Sequence, residues 1–128
     1  MIKYLDELKK LKLLKYVILG SGALAVRGIR ENKDLDVLVD EKTFEKLKKK
    51  YSLSDKGAIE IGNIEVWSHF RPWFEDANLL IEDCDIINGF RFMKLKYLVS
   101  WKQWCGREKD LSDLKLVEEY LKKTNRIK

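Results

Sequence analysis

Two short stretches carry side chains whose type and spacing suit chemistry on phosphates. The first is Gly20-Ser21-Gly22-Ala23-Leu24-Ala25, which follows the apolar run Val17-Ile18-Leu19. Glycines after a buried strand let the backbone approach an anion closely. A helix opening at Ala23 would aim its unpaired N–H groups at the same place, and Ser21 adds a hydroxyl donor. The second stretch is Asp34-Leu35-Asp36, leading into Val37-Leu38-Val39. On a strand, residues two apart leave the same face, so the two carboxylates share one side. Such neighbours repel, and burial raises the pKa of one of them. A divalent cation removes the conflict. Magnesium takes one or two carboxylates together with phosphate oxygens, and two such ions clamp the attacking and leaving oxygens of a displacement. Taken singly, each stretch also reads as a geometric turn or a pair of surface aspartates; their succession favours the chemical reading.

The elements that must position these groups follow from hydrophobic period and punctuation. Leu5, Leu8 and Leu11 predict a helix over residues 4–14, and residues 16–19 a buried strand that breaks at the glycines. A helix over 23–28, closed by Gly28, leads to a second strand over 34–39. Asp40 is the expected N-cap of a helix over 41–50, with Phe44 and Leu47 inward. Residues 58–61 and 64–67 flank Gly62-Asn63 as a hairpin. Pro72 would open a short helix from Trp73 onward, and residues 84–87 read as another strand. A helix over 94–104 ends at Gly106, and Leu111, Leu114, Val117 and Leu121 mark a last amphipathic helix. Lys102 continues the apolar line of Leu95 and Leu98, so its stem should pack and its ammonium point inward, where it could balance phosphate charge.

Apolar strand, Gly-Ser turn, helix and Asp-apolar-Asp strand together resemble the polymerase-beta-like nucleotidyltransferase superfamily. The C-terminal stretch, from Leu98-Val99-Ser100-Trp101-Lys102 through Lys109-Asp110, is similar to the minimal nucleotidyltransferases of abortive-infection toxins. The resemblance implies an α+β nucleotidyltransferase fold: a small mixed β-sheet flanked by helices, with a helical C-terminus, as one minimal domain over residues 1–128. It gives Gly20 and Ser21 the triphosphate, and Asp34 and Asp36 two magnesium ions. It also implies a third acid from a later strand, which helps activate the attacking hydroxyl. Glu65, interrupting Ile64-Glu65-Val66-Trp67, is the first candidate for catalysis and metal binding; Glu60 and Asp85 follow. Lys102 is assigned to catalysis and, with Lys109, to nucleotide binding. Lys109-Asp110 reads equally as a charge pair opening a helix. Gly22 departs from the family, where many members carry a larger residue.

Composition bounds the partners. The net charge of +5 favours polyanions, so RNA leads among acceptors that include a small molecule and a protein side chain. No apolar run reaches the roughly 20 residues that span a bilayer. Cys84 and Cys105 with a charged N-terminus suggest a cytoplasmic protein, and a single His69 argues against a zinc site. Trp67 is favoured among the tryptophans to stack a base, because it shares the strand face of Glu65. Arg27 and Arg30 flank the first helix end and are candidates to meet a nucleotide or RNA. The expected activity is magnesium-dependent transfer of a nucleoside monophosphate from a nucleoside triphosphate to an acceptor. The small size suggests that a partner chain or a second copy completes the acceptor site. The alternative is a catalytically silent nucleotide-binding or toxin–antitoxin-type module on the same fold.

Overall fold

The computed structural model describes residues 2–69 and 77–125. In chain order the elements are α1 (Leu5–Leu11), β1 (Tyr16–Ile18), α2 (Gly20–Val26), β2 (Leu35–Val39), α3 (Glu41–Lys48), β3 (Ile59–Ile61) and β4 (Ile64–Trp67). They continue with α4 (Ala77–Glu82), β5 (Cys84–Ile87), β6 (Phe90–Met93), α5 (Leu95–Cys105) and α6 (Glu108–Asn125). The strands form one mixed sheet in the order β3-β4-β2-β1-β6-β5. β1 runs antiparallel to β2, and β2 runs parallel to β4. The parallel register sets Asp36 opposite Glu65 and Leu35 opposite Ile64.

Strand residues alternate between two cores. Tyr16, Ile18, Leu35, Val37 and Val39 turn to one side, where Leu8 of α1 and Phe44 of α3 cover them. Val17, Leu19 and Leu38 turn to the other, against Ala23 and Leu24 of α2, Leu80 of α4, Leu98 of α5 and Val117 of α6. Both faces of the central strands are therefore dry. This is why Val17-Ile18-Leu19 and Val37-Leu38-Val39 read as unbroken apolar runs.

The expected caps are present. The Asp40 side chain accepts a hydrogen bond from the Thr43 N–H, and Gly106 closes α5 in the left-handed region. The hairpin lies where Gly62-Asn63 places it. β6 is an addition to the strands expected: Phe90-Arg91-Phe92-Met93 is too short to carry a strand signal of its own, and its Ile18↔Phe92 pairing joins the β5–β6 hairpin to the sheet centre. α1 is shorter than its leucine period implies, because Lys12 adopts positive φ after Leu11. The helix expected at Pro72 and Trp73 lies outside the described residues. Among the described residues no helix is long and apolar enough to cross a membrane.

α2 begins at Gly20 rather than Ala23, and Gly22 explains how it fits. A Cβ built on Gly22 would stand 2.6 Å from Ile18 Cγ2 and 2.9 Å from Leu35 Cδ1. Only a glycine lets the helix settle this closely on β1 and β2. Gly22→Ala should therefore cost ~1–3 kcal/mol through overpacking. The midpoint and slope of urea unfolding measure it, and an unchanged midpoint would contradict the packing account.

Candidate active site

The residues nominated from the sequence meet at one end of the sheet. β1 ends where β2 and β4 begin, so the Gly20-Ser21 turn, Asp34, Asp36 and Glu65 open onto one side. An open cleft of about 570 Å³ is lined by Gly20, Ser21, Asp34, Asp36, Glu65, Lys102 and Lys109, among others. The Gly20 Cα lies close enough to the acids that a built Cβ would be 3.8 Å from Asp36 Oδ2. Gly20 also has φ of +53°, a conformation that glycine adopts without steric cost. The Leu19 N–H donates to the Asp36 carbonyl at 2.8 Å, which fixes the turn against the acid-bearing strand. Leu19, the N-cap of α2, makes no side-chain capping hydrogen bond.

Three carboxyl groups crowd the cleft floor. Asp36 is pushed up to about 7, first by burial, then by the hydrogen bond it shares with Glu65 and by the Asp34 charge. The Trp67 indole N–H donates to Asp36 Oδ1 at 3.3 Å and partly offsets this. Glu65 also meets the exposed Lys56 ammonium at 3.5 Å. Lys56 is an addition to the expected cleft residues, since a lysine in a polar turn carries no sequence signal of such a contact. Among the described residues no three His, Cys, Asp or Glu side chains form a ready-made metal cage. The donor chemistry nevertheless suits magnesium, which completes its shell with phosphate and water rather than requiring an all-protein cage. Crowded carboxyls of this kind favour the arrival of positive charge.

The other wall is an ion network. Lys102 is only 5% exposed, and its ammonium lies 3.3 Å from Asp110 Oδ1 and 2.9 Å from Asp113 Oδ2. Arg107 grips Asp110 at 2.6 Å, and Arg30 grips both oxygens of Asp113 at 2.7 and 3.0 Å. Burial opposes ionisation of Asp110 and Asp113, but the flanking cations hold both below the usual carboxylate range. The ammonium is thus inward, as expected, and already engaged by carboxylates. Asp110 also accepts from the Arg107 N–H, so the Lys109-Asp110 pair does open α6; Lys109 itself is exposed on the cleft rim.

Other expectations change. Arg27 turns away from the cleft and ties Ala23, Met93 and Asp85 together. That bond occupies Asp85, which does not line the cleft; Glu60 is exposed and does not line it either. Trp67 serves Asp36 by hydrogen bonding, and among the described residues Trp101 is the tryptophan in the cleft wall, beneath Lys102 and Arg107 at 5.1 and 6.0 Å.

No protein-family model matches the chain, and no curated protein matches it. Among solved structures, a Thermotoga maritima protein provisionally described as a nucleotidyltransferase superposes with a TM-score of 0.56. The match covers 98% of this chain and 96% of that one at 19% sequence identity. The fold is a nucleotidyltransferase fold. Within it, the Gly-Ser turn and the acids occupy adjoining strand ends of the sheet.

Two measurements test this electrostatic description. Asp36 binds its proton more tightly in the folded chain than at its ordinary value of 3.8. Its contribution to stability is therefore greatest at low pH and is lost as pH rises through about 7. In chelator, the thermal midpoint should fall from pH 5 to pH 7.5, and Asp36→Asn should flatten that slope. The variant should gain on the order of 1 kcal/mol at pH 7.5. An unaltered slope would contradict the crowding. On the other wall, Lys102→Met should lose about 3 kcal/mol by leaving Asp110 and Asp113 with one buried cation fewer. Denaturant unfolding measures this loss, and a neutral result would remove the network from the wall's architecture.

Proposed function

We propose that the chain transfers a nucleoside monophosphate from a nucleoside triphosphate to an acceptor hydroxyl, releasing pyrophosphate. The observation that carries this reading is the meeting of the Gly20-Ser21 turn with Asp34, Asp36 and Glu65 in one cleft. Asp34 and Asp36 would hold magnesium, which when bound supplies positive charge to the triphosphate. The backbone at Gly20 and the Ser21 hydroxyl donate hydrogen bonds to phosphate oxygens. Glu65, opposite Asp36 on β4, accepts the proton of the attacking hydroxyl. The acceptor oxygen forms a bond to the α-phosphorus as the bond to the bridging α–β oxygen breaks, and pyrophosphate carries away the electron pair.

Lys102, given a direct phosphate contact from the sequence, fits a different task. Its ammonium, Arg30 and Arg107 bring three cations against the carboxylates of Asp110 and Asp113, so the wall keeps a positive excess. That excess and exposed Lys109 favour an anionic ligand without a bare buried lysine. RNA is the acceptor class that the overall charge of +5 favours.

The test is incubation with each labelled nucleoside triphosphate, magnesium and RNA or cell extract. Label should pass to an acceptor, and Asp34→Ala or Asp36→Ala should slow transfer by about 100-fold or more. Triphosphate binding without transfer would favour the silent module instead.

A further inference from the structure

One peptide unit joins the two aspartates' neighbourhoods: the carbonyl of Asp34 and the N–H of Leu35. Both of its polar ends are held. Asn32 Nδ2 donates to the Asp34 carbonyl at 3.0 Å, and the Leu35 N–H donates to the Asn63 carbonyl at 3.1 Å. Each asparagine is in turn fastened to the N-terminal arm. Asn32 is 1% exposed; its Oδ1 accepts from the Lys3 N–H at 2.9 Å and its Nδ2 also donates to the Lys3 carbonyl at 3.1 Å. Asn63 donates from its N–H to Glu7 Oε1 at 3.0 Å and from Nδ2 to Glu7 Oε2 at 2.9 Å. Gly62 makes room for this, since a Cβ there would stand 2.5 Å from Glu7 Oε1.

We propose that Asn32 and Glu7 are positioning residues: through them the N-terminal arm braces the Asp34–Leu35 peptide unit and sets the acid spacing. Neither side chain lines the cleft, so neither acts on a ligand directly. Asn32 is spent wholly on backbone partners, which is a costly use of a buried amide unless the loop it fixes must not drift. Glu7 reaches the hairpin that opens β4, so the same arm steadies Glu65 on its strand. The brace matters to function only if the acids hold a divalent cation, and in that sense the inference rests on the proposed function. Outer partners of metal ligands commonly change affinity by 10–100-fold when removed.

The experiment titrates the full chain with manganese alone and reads free ion by electron paramagnetic resonance. In parallel it follows amide hydrogen exchange at Leu35. Asn32→Ala and Glu7→Ala should each weaken manganese binding by about ten-fold and speed Leu35 exchange, with the far-ultraviolet circular dichroism of a folded chain. Glu7→Gln should restore both, because a flipped Asn63 amide can pair with glutamine. If Asn32→Ala does not fold, the half-buried Glu7 carries the test alone. Folded variants with wild-type affinity and exchange would overturn the brace. So would Glu7→Gln behaving like Glu7→Ala, which would trace the effect to charge. If wild-type chain binds no manganese, or Asp34→Ala/Asp36→Ala still binds it, the metal reading fails; Leu35 exchange then still decides the brace.

Discussion

Asp36 and Glu65 face each other across adjacent parallel strands, with Asp34, just before β2, lining the same cleft. Bringing carboxyls this close costs free energy unless a proton or a cation sits among them. The rest of the cleft answers that constraint. Trp67 offers partial compensation to Asp36 and Lys56 to Glu65, and Gly20 keeps backbone rather than a side chain next to Asp36. A site that stays under-compensated when empty is one that gains when positive charge arrives. The Gly20-Ser21 turn lines the same cleft beside it.

The opposite wall solves the reverse problem. Lys102 is buried where an unpaired ammonium would be prohibitive, and Asp110 and Asp113 make its burial tolerable. Arg30 and Arg107 then make those carboxylates tolerable in turn. Because Arg30 comes from the segment between α2 and β2 while Asp113 belongs to α6, the network fastens the C-terminal helix to the acid-bearing segment. Lys3, before α1, is tied to the same segment through Asn32. The acids are thus clamped between the two ends of the described chain.

Much of this was legible in the order of residues. The apolar runs marked β1 and β2, but β2 begins at Leu35, so Asp34 lies in the bend before the strand and reaches the cleft of Asp36 from there rather than by strand alternation. Asp40 and Gly106 announced helix ends through capping chemistry that is local by nature. β6 was missed because Phe90-Arg91-Phe92-Met93 is short and borders a helix whose period overlaps it. Its status as a strand comes from pairing with β1 and β5, which no window of local sequence contains.

The sequence by itself determined what depends on near neighbours: strand faces, helix caps, the turn glycines and the nucleotidyltransferase-like succession of motifs. Tertiary structure alone decided which charges meet. Lys102 looked free to reach a phosphate until α5 and α6 packed together and set Asp110 and Asp113 against it. Arg27 and Arg30, close in sequence, diverged to Asp85 and Asp113. Asn32 gave no signal until Lys3 and Asp34 closed on it. The reason is physical. Backbone preferences act over a few residues, whereas an ionic or hydrogen-bonding partner is chosen by whatever the fold brings within about 3 Å.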